Sequence, residues 1–453
     1  MNIIAVILAG VEASNNNVTV FIQEGNTLTL EYVIPIFLAM VFAAALFSSK
    51  TKIPHTMILL GFGIIISFLG LAGSDVVNFN QFKINPNLVI TFIIPPLIFE
   101  AMIKVDYKQF RAIRISALLL ATIGVILATL IGGFLLVYIA GLPFLVAFAF
   151  AALISPTDAA IVIEIFKRVK VPRVLSTLME SEAAFNDATG AIAFSSIVAL
   201  AVGTSGYAIF GTANSSSPNS GFPTISNDNA LSFVGHAEHF IVLFFGGSAI
   251  GLGIAAATHR LHTLMNDPLS ETSLTMATVF GSVGLANSLG VSGLAAVAVA
   301  GLYFGNVTVK KEATMSKSVR TFAFNFWEMI AFLASSAAFL YLGISMNIID
   351  IAHHFPIIAL SLIAVFGARA ATTYPILGAT TRFAKENIPK TWKHIVLVGG
   401  MRGAISVALV ASLPPSDFKN ILQTITFGVV LLSLIIQYIV LSMYVKKVFP
   451  DMQ

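Results

Sequence analysis

The sequence predicts an all-α polytopic membrane protein with about thirteen transmembrane helices, arranged as two inverted six-helix repeats with crossed, broken helices. Three observations carry this. Of the 453 residues, 57% are apolar and only 10% charged, against about 25% charged in a soluble domain. Apolar runs near spanning length, about 20 residues, recur along the whole chain. The basic residues collect in alternate loops, as they do when short loops record which side faces the cytoplasm.

The elements follow in order. Residues 1–31 read as an extracellular segment. Met1–Glu12 is apolar but lacks the basic start of a signal peptide. Spans are predicted at 32–49, 56–73, 87–103, 115–140, 143–166, 174–203, 237–258, 271–288, 291–308, 321–346, 355–380, 393–413 and 420–445. Beginning outside and alternating, every Lys and Arg falls in an inner loop except Lys83, Lys419, Arg369 and Arg402. That bias places the N-terminus outside and the C-terminus in the cytoplasm of a cell-membrane protein. It also accounts for the net charge of +4 as topology, so no nucleic-acid surface is implied. The stretch 203–236 is rich in Ser, Asn, Gly and Pro and reads as a flexible outer linker. The predicted division is 32–203 for the first repeat, 204–270 for the outer loop and a linker helix, 271–446 for the second repeat, and 447–453 for a short cytoplasmic tail.

Thirteen spans divide as six, one and six. The offset of seven is odd, so the second copy is inverted in the membrane. Folds of this kind place their sites at the midplane between discontinuous helices. Broken helices should then occupy matched positions. The fifth span contains Ser155-Pro156-Thr157-Asp158, and its partner, the twelfth, contains Gly399-Gly400-Met401-Arg402-Gly403. Both are plausible interruptions, since Pro removes a helix donor and Gly relaxes the backbone. Crossed half-helices point dipole ends at one another. Asp158 suits the positive ends and Arg402 the negative ones.

Charge inside the spans is costly and needs a reason. Glu100, Asp158, Glu182, Asp187 and Arg369 lie within apolar runs, with Asn186 beside Asp187. Glu182 and Asn186 are four apart and share a helix face; Asp187 is about 100° further round. Arg369 is the candidate partner for Glu182. Asp187 is then left without a permanent cation and must be protonated or hold a metal cation. One site, two competing cations and alternating access amount to antiport. Asp187, Glu100, Thr157 and water can supply the oxygen ligands that suit Na+. Asp158 reads as an organiser of the crossing, Glu164 as a rim pair with Lys167 and Arg168, and Glu180 as an attractor of cations in an inner funnel.

The chain has no cysteine, which excludes disulfides and thiolate metal sites. No GxSxG, HExxH or P-loop stands in a suitable context. No enzyme, nucleotide or cofactor is implied; the partner these residues call for is membrane lipid.

These residues resemble the NhaP/NHE-type sodium/proton antiporters. Glu182-Ala183-Ala184-Phe185-Asn186-Asp187 resembles that family's Glu-Ser-x-x-Asn-Asp signature. Pro95-Pro96-Leu97-Ile98-Phe99-Glu100, Ser155-Pro156-Thr157-Asp158, Phe326-Trp327-Glu328 and Gly399-Gly400-Met401-Arg402-Gly403-Ala404 resemble others, in the family's order. The resemblance implies a homodimer of the NhaA-like antiporter fold, with a mobile ion-carrying bundle and a dimerisation bundle. It implies that Asp187 carries the ion or proton, that Glu182 pairs with Arg369, and that Glu100 and Thr157 coordinate the ion. The Asn-Asp form implies electroneutral exchange of one Na+ (or Li+) for one H+. The chain departs from the pattern at Ala183, where the family carries Ser, so a hydroxyl ligand is missing. Ser181, water or a backbone carbonyl can replace it, and potassium/proton antiport is an alternative. Sodium-coupled symport of an organic anion and a gated cation channel are readings of other classes.

Overall fold

A computed structural model of the chain describes residues 30–51, 53–71, 92–169, 171–202, 233–309, 315–346, 348–383, 388–411, 413 and 417–450. Most of the predicted N-terminal segment and outer loop, the last tail residues and Lys83 lie outside the described residues. Every regular element described is helical. In chain order these are α1 (Leu30–Thr51), α2 (His55–Leu71), α3 (Ile94–Lys104), α4 (Tyr107–Leu119), α5 (Val125–Ala140), α6 (Phe144–Ile154), α7 (Ala160–Val169), α8 (Arg173–Val202) and α9 (Phe233–His262). There follow α10 (Pro268–Ser288), α11 (Gly293–Tyr303), α12 (Lys317–Ile344), α13 (Ile348–His353), α14 (Phe355–Phe383), α15 (Lys390–Val398), α16 (Ala404–Ala411) and α17 (Asp417–Val448). Among the described residues six helical stretches are long and apolar enough to cross a membrane: Ile34–Thr51, Tyr107–Ala140, Ile241–His262, Lys317–Ile344, Phe355–Phe383 and Phe418–Val448.

Local chemistry sets the ends. Pro95 and Pro96 sit in the first turn of α3, where a missing N–H costs nothing. The Asp106 carboxylate accepts the Lys108 N–H at 2.9 Å and starts α4. Asp267, Ser292 and Ser316 cap α10, α11 and α12 in the same way. Gly141, at φ 65°, ends α5 in the left-handed region that favours glycine. A π turn, Leu120–Gly124, joins α4 to α5, so this helix runs unbroken from 107 to 140.

That continuity corrects one predicted boundary. The fourth span was expected to begin at 115, with Lys108, Arg111 and Arg114 in a loop. They lie instead on α4, whose Phe110, Ile113, Ala117 and Leu120 are buried at helical spacing. A hydropathy window rejects such a charged first turn, but the Asp106 cap starts the helix there regardless.

The helices pack as two groups. α1, α2, α3, α9, α10, α11 and α12 contact one another on one side, and α4 to α7 with α14 to α17 on the other. α2 and α12 meet where a Cβ on Gly63 or Gly343 would overlap the other's main chain. α8 lies between the groups, touching α4 and α6 on one side and α3, α9 and α11 on the other. The helix that carries Glu182, Asn186 and Asp187 is thus the seam of the molecule.

Candidate functional site

Two helix interruptions build the site. α6 stops at Ile154; Ser155 and Pro156 bend, Thr157 to Ala159 have no regular structure, and α7 begins at Ala160. α15 stops at Val398, and α16 restarts at Ala404 after an irregular stretch from Gly399 to Gly403. The two stretches cross and are joined by main chain: the Asp158 N–H donates to the Met401 carbonyl at 2.7 Å.

Half-helix ends expose partial charge, and ions of opposite sign meet them. Arg402 Nη1 donates to the Ser155 and Pro156 carbonyls at 2.9 and 3.2 Å, just past the end of α6. Arg369 Nη2 donates to the Val396 carbonyl in the last turn of α15 at 3.3 Å. The Asp158 carboxylate lies against Gly403 at the start of α16, so close that a Cβ there would overlap it. Gly400 passes Arg369 and Thr157 in a similarly narrow gap. Glycine at 400 and 403 is therefore a matter of space for neighbouring charged and polar groups.

α8 supplies the rest. Arg369 Nη1 lies 2.6 Å from Glu182 Oε1, with both residues buried. One turn on, the Asn186 side chain reads both faces of Thr157. Its Oδ1 accepts the Thr157 N–H at 3.2 Å, and its Nδ2 donates to Thr157 Oγ1 at 2.9 Å. Asn186 is buried, whereas Asp187 is only half-buried. Among the described residues, the Asp187 carboxylate makes no hydrogen bond and faces no cation; the charge that acts on it is that of Asp158. The structure therefore brings Asp187, Asn186, Thr157, Asp158, Glu182, Arg369 and Arg402 to one crossing.

Glu100 stands apart from that group. Its carboxylate is paired with Lys104 on the next turn of α3, and the same ammonium lies 3.4 Å from Glu328 Oε1 on α12. Glu180, on α8, interacts electrostatically with Lys104, Glu100 and Lys167. Glu164 pairs with Arg168 on α7. Among the described residues, no three His, Cys, Asp or Glu side chains converge as a metal site. A cation at Asp187 would depend on Thr157, main-chain carbonyls and water for its other ligands.

Two residues that matter here, Gln437 and Glu271, were missed in the sequence. Gln437, buried in α17, donates from Nε2 to the Gly400 carbonyl at 3.2 Å and steadies the second interruption. Its cue was the one amide in the apolar run 425–445. His262 Nδ1 and Glu271 Oε2 lie 3.0 Å apart, both fully buried, across the turn from α9 to α10. A spacing of nine residues across a turn gives no periodic signal.

The sequence pattern of the family described as "Sodium/hydrogen exchanger, transmembrane" matches residues 36–447. The Na(+)/H(+) antiporter ApNhaP of Aphanothece halophytica is 30% identical over 397 residues, covering 87% of this chain and 70% of that one. The Na(+)/H(+) antiporter NhaH of Halobacillus dabanensis is 30% identical over 364 residues, covering 79% and 82%. The solved structure of the sodium proton antiporter MjNhaP1 from Methanocaldococcus jannaschii superposes with a TM-score of 0.68 at 21% identity, covering 93% of this chain and all of that one. This last likeness is one of fold. Two interruptions crossing beside buried charge, an acid on the seam helix without a partner, and a family pattern spanning nearly the whole chain lead to one assignment: this membrane protein belongs to the sodium/hydrogen exchanger family.

Proposed function

We propose that the protein is an electroneutral antiporter that exchanges Na+ or Li+ for H+ across the cell membrane, with Asp187 as the group that carries either. One observation carries the proposal. Asp187 lies at the helix crossing with no hydrogen bond or ion pair among the described residues, while its neighbours Glu182 and Asn186 are both engaged. A carboxylate in that position must bind a proton or a mobile cation. Each cycle moves one charge of either kind, so the exchange is one for one. Thr157 and water complete the ligand set. Glu100 joins it when its pair with Lys104 opens. Glu182 with Arg369 is the structural ion pair, Arg402 supports the broken helices, and Asp158 with Asn186 holds the crossing in shape.

The arrangement that goes with this reading has thirteen spans, the N-terminus outside and the C-terminus in the cytoplasm. The inverted repeats are 32–203 and 271–446. The group holding α4 to α7 and α14 to α17 moves against the other group, and the latter joins two copies as a homodimer. Ala183 favours a second reading, exchange of potassium. A relative 26% identical over 403 residues, from Bacillus subtilis, is described as a sodium, potassium, lithium and rubidium/H(+) antiporter.

The test is transport in proteoliposomes with a pH dye inside. Added Na+ should collapse a preset pH gradient without a change in membrane potential, and Asp187→Asn should abolish the effect in folded protein. Full exchange by Asp187→Asn would sink the assignment. The same assay with K+ decides between the two readings.

A further inference from the structure

The expected ligand Glu100 already has a cation. Lys104, one turn later on α3, holds its carboxylate. The same ammonium is within 3.4 Å of Glu328 on α12. On the seam helix α8, Glu180 interacts electrostatically with Lys104, Glu100 and Lys167. Two carboxylates, on α3 and α12, thus share one lysine, and a third, on the seam helix, feels its charge. The side chains of Lys104 and Glu328 are 31% and 57% exposed, and that of Glu100 is 16% exposed. Lys104 is therefore neither locked in the core nor free in solvent. Lysine is suited to such a post: its ammonium is a compact point charge on a flexible stem and can move between acceptors.

We propose that Lys104 is a tethered rival of the transported cation. Its ammonium occupies the carboxylate of Glu100, and a metal cation reaches that carboxylate only when the ammonium passes to Glu328. The proposal rests on the exchange reading above and adds a residue that sets affinity. An alkali cation and an ammonium carry the same charge, so the exchange of one for the other leaves the charge facing Glu100 unchanged, while the cluster, which keeps its lysine on Glu328, gains the charge of the bound cation. Glu328 is the parking acceptor. Glu180, on the seam helix α8, draws either cation toward it.

The two acceptors give opposite signs. Removing the rival, Lys104→Gln, should lower the half-saturating Na+ concentration by about fivefold, the factor that corresponds to a partly exposed ion pair. The maximal rate should move less. Removing the parking acceptor, Glu328→Gln, should raise the half-saturating concentration, because the ammonium then has only Glu100 as a near partner. In the double variant the Glu328 effect should vanish. A merely structural Lys104 would not produce opposite shifts of which only its own survives in the double variant. Proteoliposome exchange measured over a Na+ series reads all four proteins. An unmoved half-saturating concentration in Lys104→Gln, or shifts of one sign in both single variants, overturns this proposal alone. Wild-type protein that exchanges no alkali cation overturns the exchange reading and this inference with it.

Discussion

At the helix crossing, Glu182, Asn186, Arg369 and Arg402 are buried and each is held by a partner on another element. Around Lys104, the acids and the lysine are partly open to solvent, and one ammonium serves more than one carboxylate. The two places hold similar groups under different dielectric conditions. A buried charge that loses its partner keeps its desolvation cost. A partly exposed one recovers water and loses little. The crossing is therefore built to stay, and the Lys104 cluster is built to exchange partners. A carrier needs both: a fixed frame for the site and a labile approach to it.

That contrast can be broken at its strong end first. Arg369→Ala should destabilise the protein by roughly 3–5 kcal/mol, because it strands the Glu182 carboxylate in the core. A wild-type melting temperature in detergent would refute the pairing as a structural one. Asn186→Ala should cost about 1–3 kcal/mol, since it leaves the Thr157 N–H without its acceptor in a buried place. The same melting series measures it, and a loss as large as that of Arg369→Ala would erase the distinction between ionic and neutral pins. Glu164→Gln, which breaks the rim pair with Arg168, should change stability by less than about 1 kcal/mol.

The smallest effect lies outside the spans and depends on pH. Asp267 accepts the Ser270 N–H and hydroxyl at 2.8 and 2.7 Å. These bonds hold its carboxyl below the usual range. Its folded value lies under its unfolded one, so its contribution is complete above the ordinary carboxylate range and fades as pH falls through the lowered value. Thermal stability of Asp267→Asn should differ from wild type near neutrality and converge with it in acid. A gap that does not change with pH would count against the cap.

Much of the site was legible because the residues that build it are punctuation or misplaced charge. Pro156 and Gly399–Gly403 interrupt apolar runs, and Glu182, Asp187, Arg369 and Arg402 are ions where ions are costly. Such signals survive without neighbours. Other features depend on which helix comes to lie beside which. Lys104 and Glu100 are four apart in the sequence, but nothing there says that Glu328 shares the ammonium. Gln437 needs the second interruption beside α17 before its amide has a purpose. The start of α4 was missed for a different reason: one Asp cap outweighs a charged first turn that hydropathy alone rejects.

The bond from the Asp158 N–H to the Met401 carbonyl has a consequence for how this protein can vary. It is made of main chain only, so no substitution of a side chain deletes it, save proline at 158. A scan of alanine variants would pass over it, and a lineage could rewrite both stretches while keeping it. The two interrupted helices are stitched by something that inheritance does not spell in any particular letter. An ester in place of that amide, introduced by chemical synthesis or an expanded code, would cut the stitch while keeping the Asp158 side chain, and show how far the two halves travel when it is gone.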